Sequence, residues 1–140
     1  MSINFFNEDV DLPKIKKRNT VAWIKQVIDE HCKKVGDVSF IFCSDTYLLD
    51  VNKQYLDHDY FTDVITFDYV EGDVVSGDIF ISVDRVEENA KSFSTSFSNE
   101  LNRVIIHGIL HLLGYNDKTD TDKLIMTGKE DLYLNLLNNN

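Results

Sequence analysis

The chain has 140 residues, 43% of them hydrophobic, with 14 Lys and Arg against 24 Asp and Glu, for a formal net charge of −10. That length is one domain, read as residues 1–140, with enough apolar residues for a core. The charge excludes a broadly basic nucleic-acid binder, and no apolar run reaches the roughly 18 residues that span a bilayer, so no membrane partner is expected.

The opening, MSINFFNEDVDLP, is acidic and lacks a basic segment followed by an apolar one, so no signal peptide is expected. Cys32 and Cys43 form no CxxC and no framework. They read as ordinary buried thiols of a reducing cytosol, and the expected location is cytoplasmic. Charge is unevenly spread. Seven of the fourteen basic residues fall between Lys14 and Lys34, and twelve of the 24 acids between Asp45 and Glu88. A local basic face is compatible with that spread, although a solvated helix face is the plainer reading.

In chain order, residues 3–7 read as a short strand. Asn19 or Thr20 caps a helix running to about Val35, with Gly36 as its stop and Ile24, Val27, Ile28, Cys32 and Val35 as its apolar set. VSFIFC (38–43) is β-branched and aromatic, hence a strand. Residues 44–56 form a second helix with Tyr47, Leu48, Val51 and Tyr55 on one face. DVITFDYV (63–70) and GDIFISV (77–83) are strands joined by the turn-rich EGDVVS. Asp84 with Glu87 resembles a capping box for a third helix carrying Val86, Ala90, Phe93 and Phe97. Ser98 or Asn99 caps a fourth helix over 100–113, which is apolar nearly all round and therefore buried. A fifth covers about 121–137. The order β-α-β-α-β-β-α-α-α describes an α+β fold: a small mixed four-stranded sheet packed with about five helices.

The fourth helix ends in HGILHLLGYND, residues 107–117. His107 and His111 stand at i and i+4, so both imidazoles leave one helical face at the spacing of two ligands to one metal ion. Gly114 can adopt a left-handed conformation, end the helix and let the chain double back, bringing Asp117 to the two rings. Two neutral histidines and one carboxylate make a tetrahedral zinc site with one position open for water, the mark of a catalytic site. A pair of hydrogen-bonded core histidines is the plainer alternative. Compared with the zinc peptidase pattern HExxHxxGxxH, the stretch keeps both histidines and the glycine. Gly108 replaces the glutamate that serves as general base, so peptide hydrolysis by that mechanism is not expected.

The stretch is more similar to H-G-x-L-H-L-x-G-Y-D-H, the signature of the YbeY family of metal-dependent endoribonucleases, or rRNA maturation factors. It matches at His107, Gly108, Leu110, His111, Leu112, Gly114 and Tyr115. VNKQYLDHDYFTDVITF (51–67) resembles a second family segment at Asn52, Tyr55, Asp59, Thr62, Asp63, Val64 and Phe67, and Gly77, Asp78 and Ile79 resemble a third. The similarity runs over roughly residues 20–135, with its motifs in the same order. It implies one zinc ion per chain, cleavage of single-stranded RNA, maturation of small-subunit rRNA and association with the ribosome or its small subunit.

Two positions depart from the family pattern. The family's third ligand is His and here it is Asp117, which lowers the positive charge of the site and implies a higher pKa for bound water. A family Arg is replaced by Leu56. Lys53, one helical turn earlier, is a candidate for that charge, although Lys offers a point charge rather than a fork. His58, in the loop before Thr62 and Asp63, is a candidate acid or base that titrates near neutrality. Thr62, Asp63 and Asp78 are expected to serve turn and strand structure. Two other readings are a metal-dependent hydrolase of another substrate, such as peptides, and a non-catalytic ribosome-binding factor with a structural zinc.

Overall fold

The computed structural model describes residues 2–139. Its elements run β1 (Ser2–Asn7), α1 (Lys17–Glu30), β2 (Lys34–Cys43), α2 (Asp45–Leu56), β3 (Val64–Asp68), β4 (Val74–Ser82), α3 (Val83–Ser92), α4 (Phe97–Leu112) and α5 (Asp120–Asn138). The strands form one sheet in the order β1-β2-β4-β3, in which β1, β2 and β4 are parallel and β3 is antiparallel to β4. The expected α+β architecture, a mixed four-stranded sheet with five helices, is the one observed.

Alternation along the strands separates two apolar faces. Val38, Phe40 and Phe42 of β2 and Val75, Ile79 and Ile81 of β4 point to one face, where they form the main core with Ile24, Val27 and Ile28 of α1 and Leu101, Ile105 and Ile109 of α4. Cys43 and Ile65 point to the other and pack with Leu48 and Val51 of α2. Both faces of the central strands are therefore covered, as parallel strands require. Burial pushes the Cys43 thiol up to about 12, so this sulfur stays protonated.

Several boundaries differ from the sequence reading. α1 begins at Lys17 and stops at Glu30 rather than Val35. The chain turns at Cys32, whose φ is +56°, and this thiol is exposed rather than buried. Gly36 lies inside β2 instead of ending the helix. It marks a close approach to β4, since a Cβ there would lie 2.1 Å from Ser76 Oγ. The β4 strand starts at Val74, which absorbs half of the expected turn.

Four helix starts are set by Ser or Thr hydroxyls, the first being Ser44, whose Oγ accepts from the Tyr47 N–H at the start of α2. Ser82 rather than Asp84 caps α3, its Oγ accepting from the Arg85 N–H. Ser96 rather than Ser98 or Asn99 caps α4, which places Phe97 in α4 instead of α3. Thr119 and Asp122 form the capping box of α5. Tyr55 and Phe93, expected on buried helix faces, are 63% and 67% exposed. Among the described residues no helix is long and apolar enough to cross a membrane.

Candidate metal centre

α4 is buried along most of its length, and Gly108 is what lets it lie close to the sheet: a Cβ there would stand 2.9 Å from Ile79 of β4. The helix ends where the sequence demands. Gly114 has φ +103°, and its N–H donates to the His111 carbonyl at 3.0 Å while Tyr115 N–H donates to the Leu110 carbonyl at 3.0 Å. The chain reverses through this turn, and Asp117 returns to the helix. Its Oδ2 lies 3.4 Å from Nε2 of both His107 and His111.

The far nitrogens of the two rings are held. Nδ1–H of His111 donates to the Tyr115 backbone carbonyl at 2.9 Å. A carbonyl only accepts, so Nδ1 carries the proton and Nε2 carries the lone pair. Nδ1–H of His107 donates to Glu130 Oε2 at 2.6 Å. In the neutral rings both Nε2 lone pairs then face each other across 3.0 Å. Two facing lone pairs repel, whereas a cation between them is bound by both. The orienting partner on the second nitrogen is the usual arrangement around metal-ligating histidines.

The donor set fits a small divalent ion. The ligand atoms of His107, His111 and Asp117 all lie within 4.8 Å of one another. Bonds of about 2.0–2.2 Å in a tetrahedral zinc site place ligand atoms about 3.3–3.5 Å apart, close to the 3.0 and 3.4 Å separations here. Burial draws the His107 imidazole down, but the hydrogen bond and charge of Glu130 outweigh it and leave the ring's affinity for a proton raised. His111 has no such carboxylate on Nδ1. Burial, and then the neighbouring His107, lower it.

The cluster opens into a groove of about 530 Å³ whose walls include Leu56, His58, Tyr60, Asp63 and Lys118. Buried Asn52 of α2 shapes that wall, its side-chain amide donating to the Tyr60 carbonyl at 2.9 Å while its backbone carbonyl accepts from His58 N–H at 3.1 Å. His58 is stacked on Tyr60, with ring centroids 5.1 Å apart and planes 22° from parallel. Lys53 turns to Asp59 at 3.3 Å and does not line the groove, so it does not replace the missing guanidinium. Leu56 does line it. Thr62 Oγ1 donates to the Val64 carbonyl at 3.4 Å, the turn role expected of it. Asp63 also reaches the groove, and burial raises its carboxyl. Asp78 lies in β4 opposite Phe67.

Two participants were not singled out by the sequence reading. Glu130, buried in α5, holds His107 and is itself gripped by Arg103 Nη1 at 2.8 Å. His31, at the end of α1, donates from Nδ1 to the Val27 carbonyl at 2.7 Å and accepts the Tyr115 hydroxyl at 2.9 Å on Nε2. No local spacing links either residue to HGILHLLGYND. A charged Glu among the apolar positions of α5 is the one signal that pointed inward.

The family model of endoribonuclease YbeY matches residues 4–138. A relative named endoribonuclease YbeY from Parabacteroides distasonis is 53% identical over 137 residues, covering 98% of this chain and 96% of its own. Another of that name from Porphyromonas gingivalis is 47% identical over 135 residues, covering 96% and 89%. The solution structure of a Thermotoga maritima protein superposes with a TM-score of 0.70 at 32% identity, over 97% of this chain and 89% of that one. The match extends over nearly the whole sequence, so this chain belongs to the YbeY family.

Proposed function

We propose that this chain is a zinc-dependent endoribonuclease that cuts single-stranded RNA and acts in the maturation of small-subunit rRNA, in the cytoplasm and at the ribosome. One observation carries the reading: two imidazoles with their lone pairs converging 3.0 Å apart, and a carboxylate oxygen 3.4 Å from each, at the edge of an open groove. Family membership supplies the substrate class.

His107, His111 and Asp117 would hold the ion. When bound, zinc supplies Lewis acidity and lowers the pKa of water at the position the protein leaves open. Glu130 and the Tyr115 carbonyl keep each imidazole in the tautomer that presents Nε2. Asp117 is half exposed, so the ligand side facing the groove is accessible to a phosphodiester. The stacked His58–Tyr60 pair offers an aromatic face on which an unpaired base can lie. Lys118, which also lines the groove, supplies charge toward phosphate. Gly108 faces Ile79 and brings no carboxylate to the ion, which supports a substrate other than peptide. The reading is tested by incubating the zinc-loaded chain with a labelled single-stranded RNA, the same RNA in a duplex, and an unstructured peptide. Cleavage of the single strand alone, abolished by chelator and restored by zinc, supports it; cleavage of the peptide, or RNA cleavage unaffected by chelator, overturns it.

A further inference from the structure

β3 is an edge strand: β4 pairs with one side of it, and among the described residues no strand pairs with the other. The phase of the ladder is fixed. Ser82 N–H donates to the Asp63 carbonyl at 2.9 Å and Tyr69 N–H to the Ser76 carbonyl at 3.0 Å, while Ile65 and Phe67 stand opposite Phe80 and Asp78. Asp63, Ile65, Phe67 and Tyr69 therefore turn their N–H and C=O groups to β4, and the residues between them turn theirs off the open edge. Val64 is served locally. Its carbonyl accepts from Thr62 Oγ1 at 3.4 Å and its N–H donates to the Asp63 carboxylate. Beyond the β3–β4 ladder, no hydrogen bond among the described residues reaches the N–H or C=O of Thr66 or Asp68.

Such a row of free backbone groups is a template for another strand, and proteins commonly blunt it with Lys or Pro. The β3 sequence, VITFD, has neither. Its edge is sheltered instead, because Thr66 and Asp68 line the groove that also holds His107 and His111. The carboxylates of Asp63 and Asp68 make this wall negative, and among the described residues Lys118 is the one Lys or Arg lining the groove. An added strand alternates like any other. Every second side chain shares the face of Thr66 and Asp68. Those between turn to the side of Ile65, which packs on α2, whose last residue, Leu56, is exposed and lines the groove.

We propose that the open edge of β3 captures an extended segment of a partner protein, in which basic residues alternate with aliphatic ones, as a fifth strand antiparallel to β3. Antiparallel pairing continues the β3–β4 arrangement and is the more stable per residue. The segment exchanges backbone hydrogen bonds with Thr66 and Asp68, a lysine or arginine lies beside the Asp68 carboxylate, and aliphatic side chains lie toward Leu56. By filling the groove it holds RNA away from His107 and His111. That consequence rests on the ribonuclease reading; the strand pairing does not.

Titrating the full-length ¹⁵N-labelled chain with a blocked hexapeptide of alternating Lys and Val tests it. The amide resonances of Thr66 and Asp68 should shift saturably, and their hydrogen exchange should slow. Methylating the backbone nitrogens of the lysines, which face β3, should weaken binding about thirtyfold by removing two hydrogen bonds. Methylating those of the valines, which face away, should leave it unchanged. Asp68→Asn should weaken the lysine probe about threefold and leave a probe of alternating Thr and Val unaffected, at the thermal midpoint of wild type. Unmoved Thr66 and Asp68 amides, or equal losses with the two methylated probes, overturn the proposal. So does a short 2′-O-methylated single-stranded RNA that shifts these amides where the peptide does not, which gives the edge to nucleic acid. The probe should be recovered intact; its cleavage would uphold the pairing and overturn the ribonuclease reading. Failure of the chain to cut RNA bears on that reading alone.

Discussion

Glu130 accepts the Nδ1 proton of His107 at 2.6 Å across 23 residues of sequence, from α5 to α4, and Arg103 holds its other oxygen at 2.8 Å. This joins the candidate metal centre to the packing of the last two helices. Replacing Glu130 by Ala frees the His107 ring to rotate and change tautomer. Zinc affinity should fall by about 10–100-fold, the usual cost of losing an orienting partner. Competition with a chromophoric chelator measures it, and an unchanged affinity would show that the carboxylate serves only the helix contact.

Tyr115 separates the two jobs. Its backbone carbonyl holds His111, while its hydroxyl donates to His31 at the end of α1. Tyr115→Phe removes only the second bond. Stability should drop by about 1 kcal/mol with zinc affinity almost unchanged. A large loss of zinc affinity would mean that the contact to α1 positions the whole turn.

Glu100 gives a pH-dependent signature. It is buried in α4, and burial raises its carboxyl above the ordinary value, with Arg103 opposing. A raised carboxyl binds its proton in the folded state at a pH where the unfolded chain has already released it. Between the unfolded and folded values the fold therefore loses stability as pH rises, and at neutral pH the full burden remains. Glu100→Gln should melt higher than wild type near pH 7, and the difference should shrink as pH falls toward 4. A difference that is independent of pH, or of opposite sign at neutrality, contradicts the assignment.

Leu56 lines the groove wall and brings no charge to it. Leu56→Arg should tighten RNA binding and steepen its salt dependence, adding about 0.7 to the slope of log affinity against log salt for one more phosphate contact on a single strand. Binding isotherms of a non-cleavable RNA at several salt concentrations measure it. An unaltered slope would place the phosphates out of reach of this wall.

The cluster of His107, His111 and Asp117 was legible because one continuous segment carries it. A helical period pairs His107 with His111, and the only left-handed residue nearby, Gly114 at φ +103°, turns Asp117 back. Glu130 was not legible because tertiary packing alone sets its distance from His107. Helix ends failed for a local reason. Gly36 looks like a helix stop, but its lack of a Cβ serves the contact of β2 with Ser76, while Cys32 takes the left-handed turn. Lys53 shows the same limit: it is one turn from Leu56, but Asp59 draws it away from the groove.

The central claim is that His107, His111 and Asp117 hold a catalytic ion, and the most direct test is cleavage of a single-stranded RNA by the zinc-loaded chain beside His111→Ala purified identically. The paired variant matters because a contaminating nuclease would cut in both samples. The account predicts cleavage by wild type and none by His111→Ala, with both proteins folded. Equal cleavage in the two samples, or none in either, would contradict it.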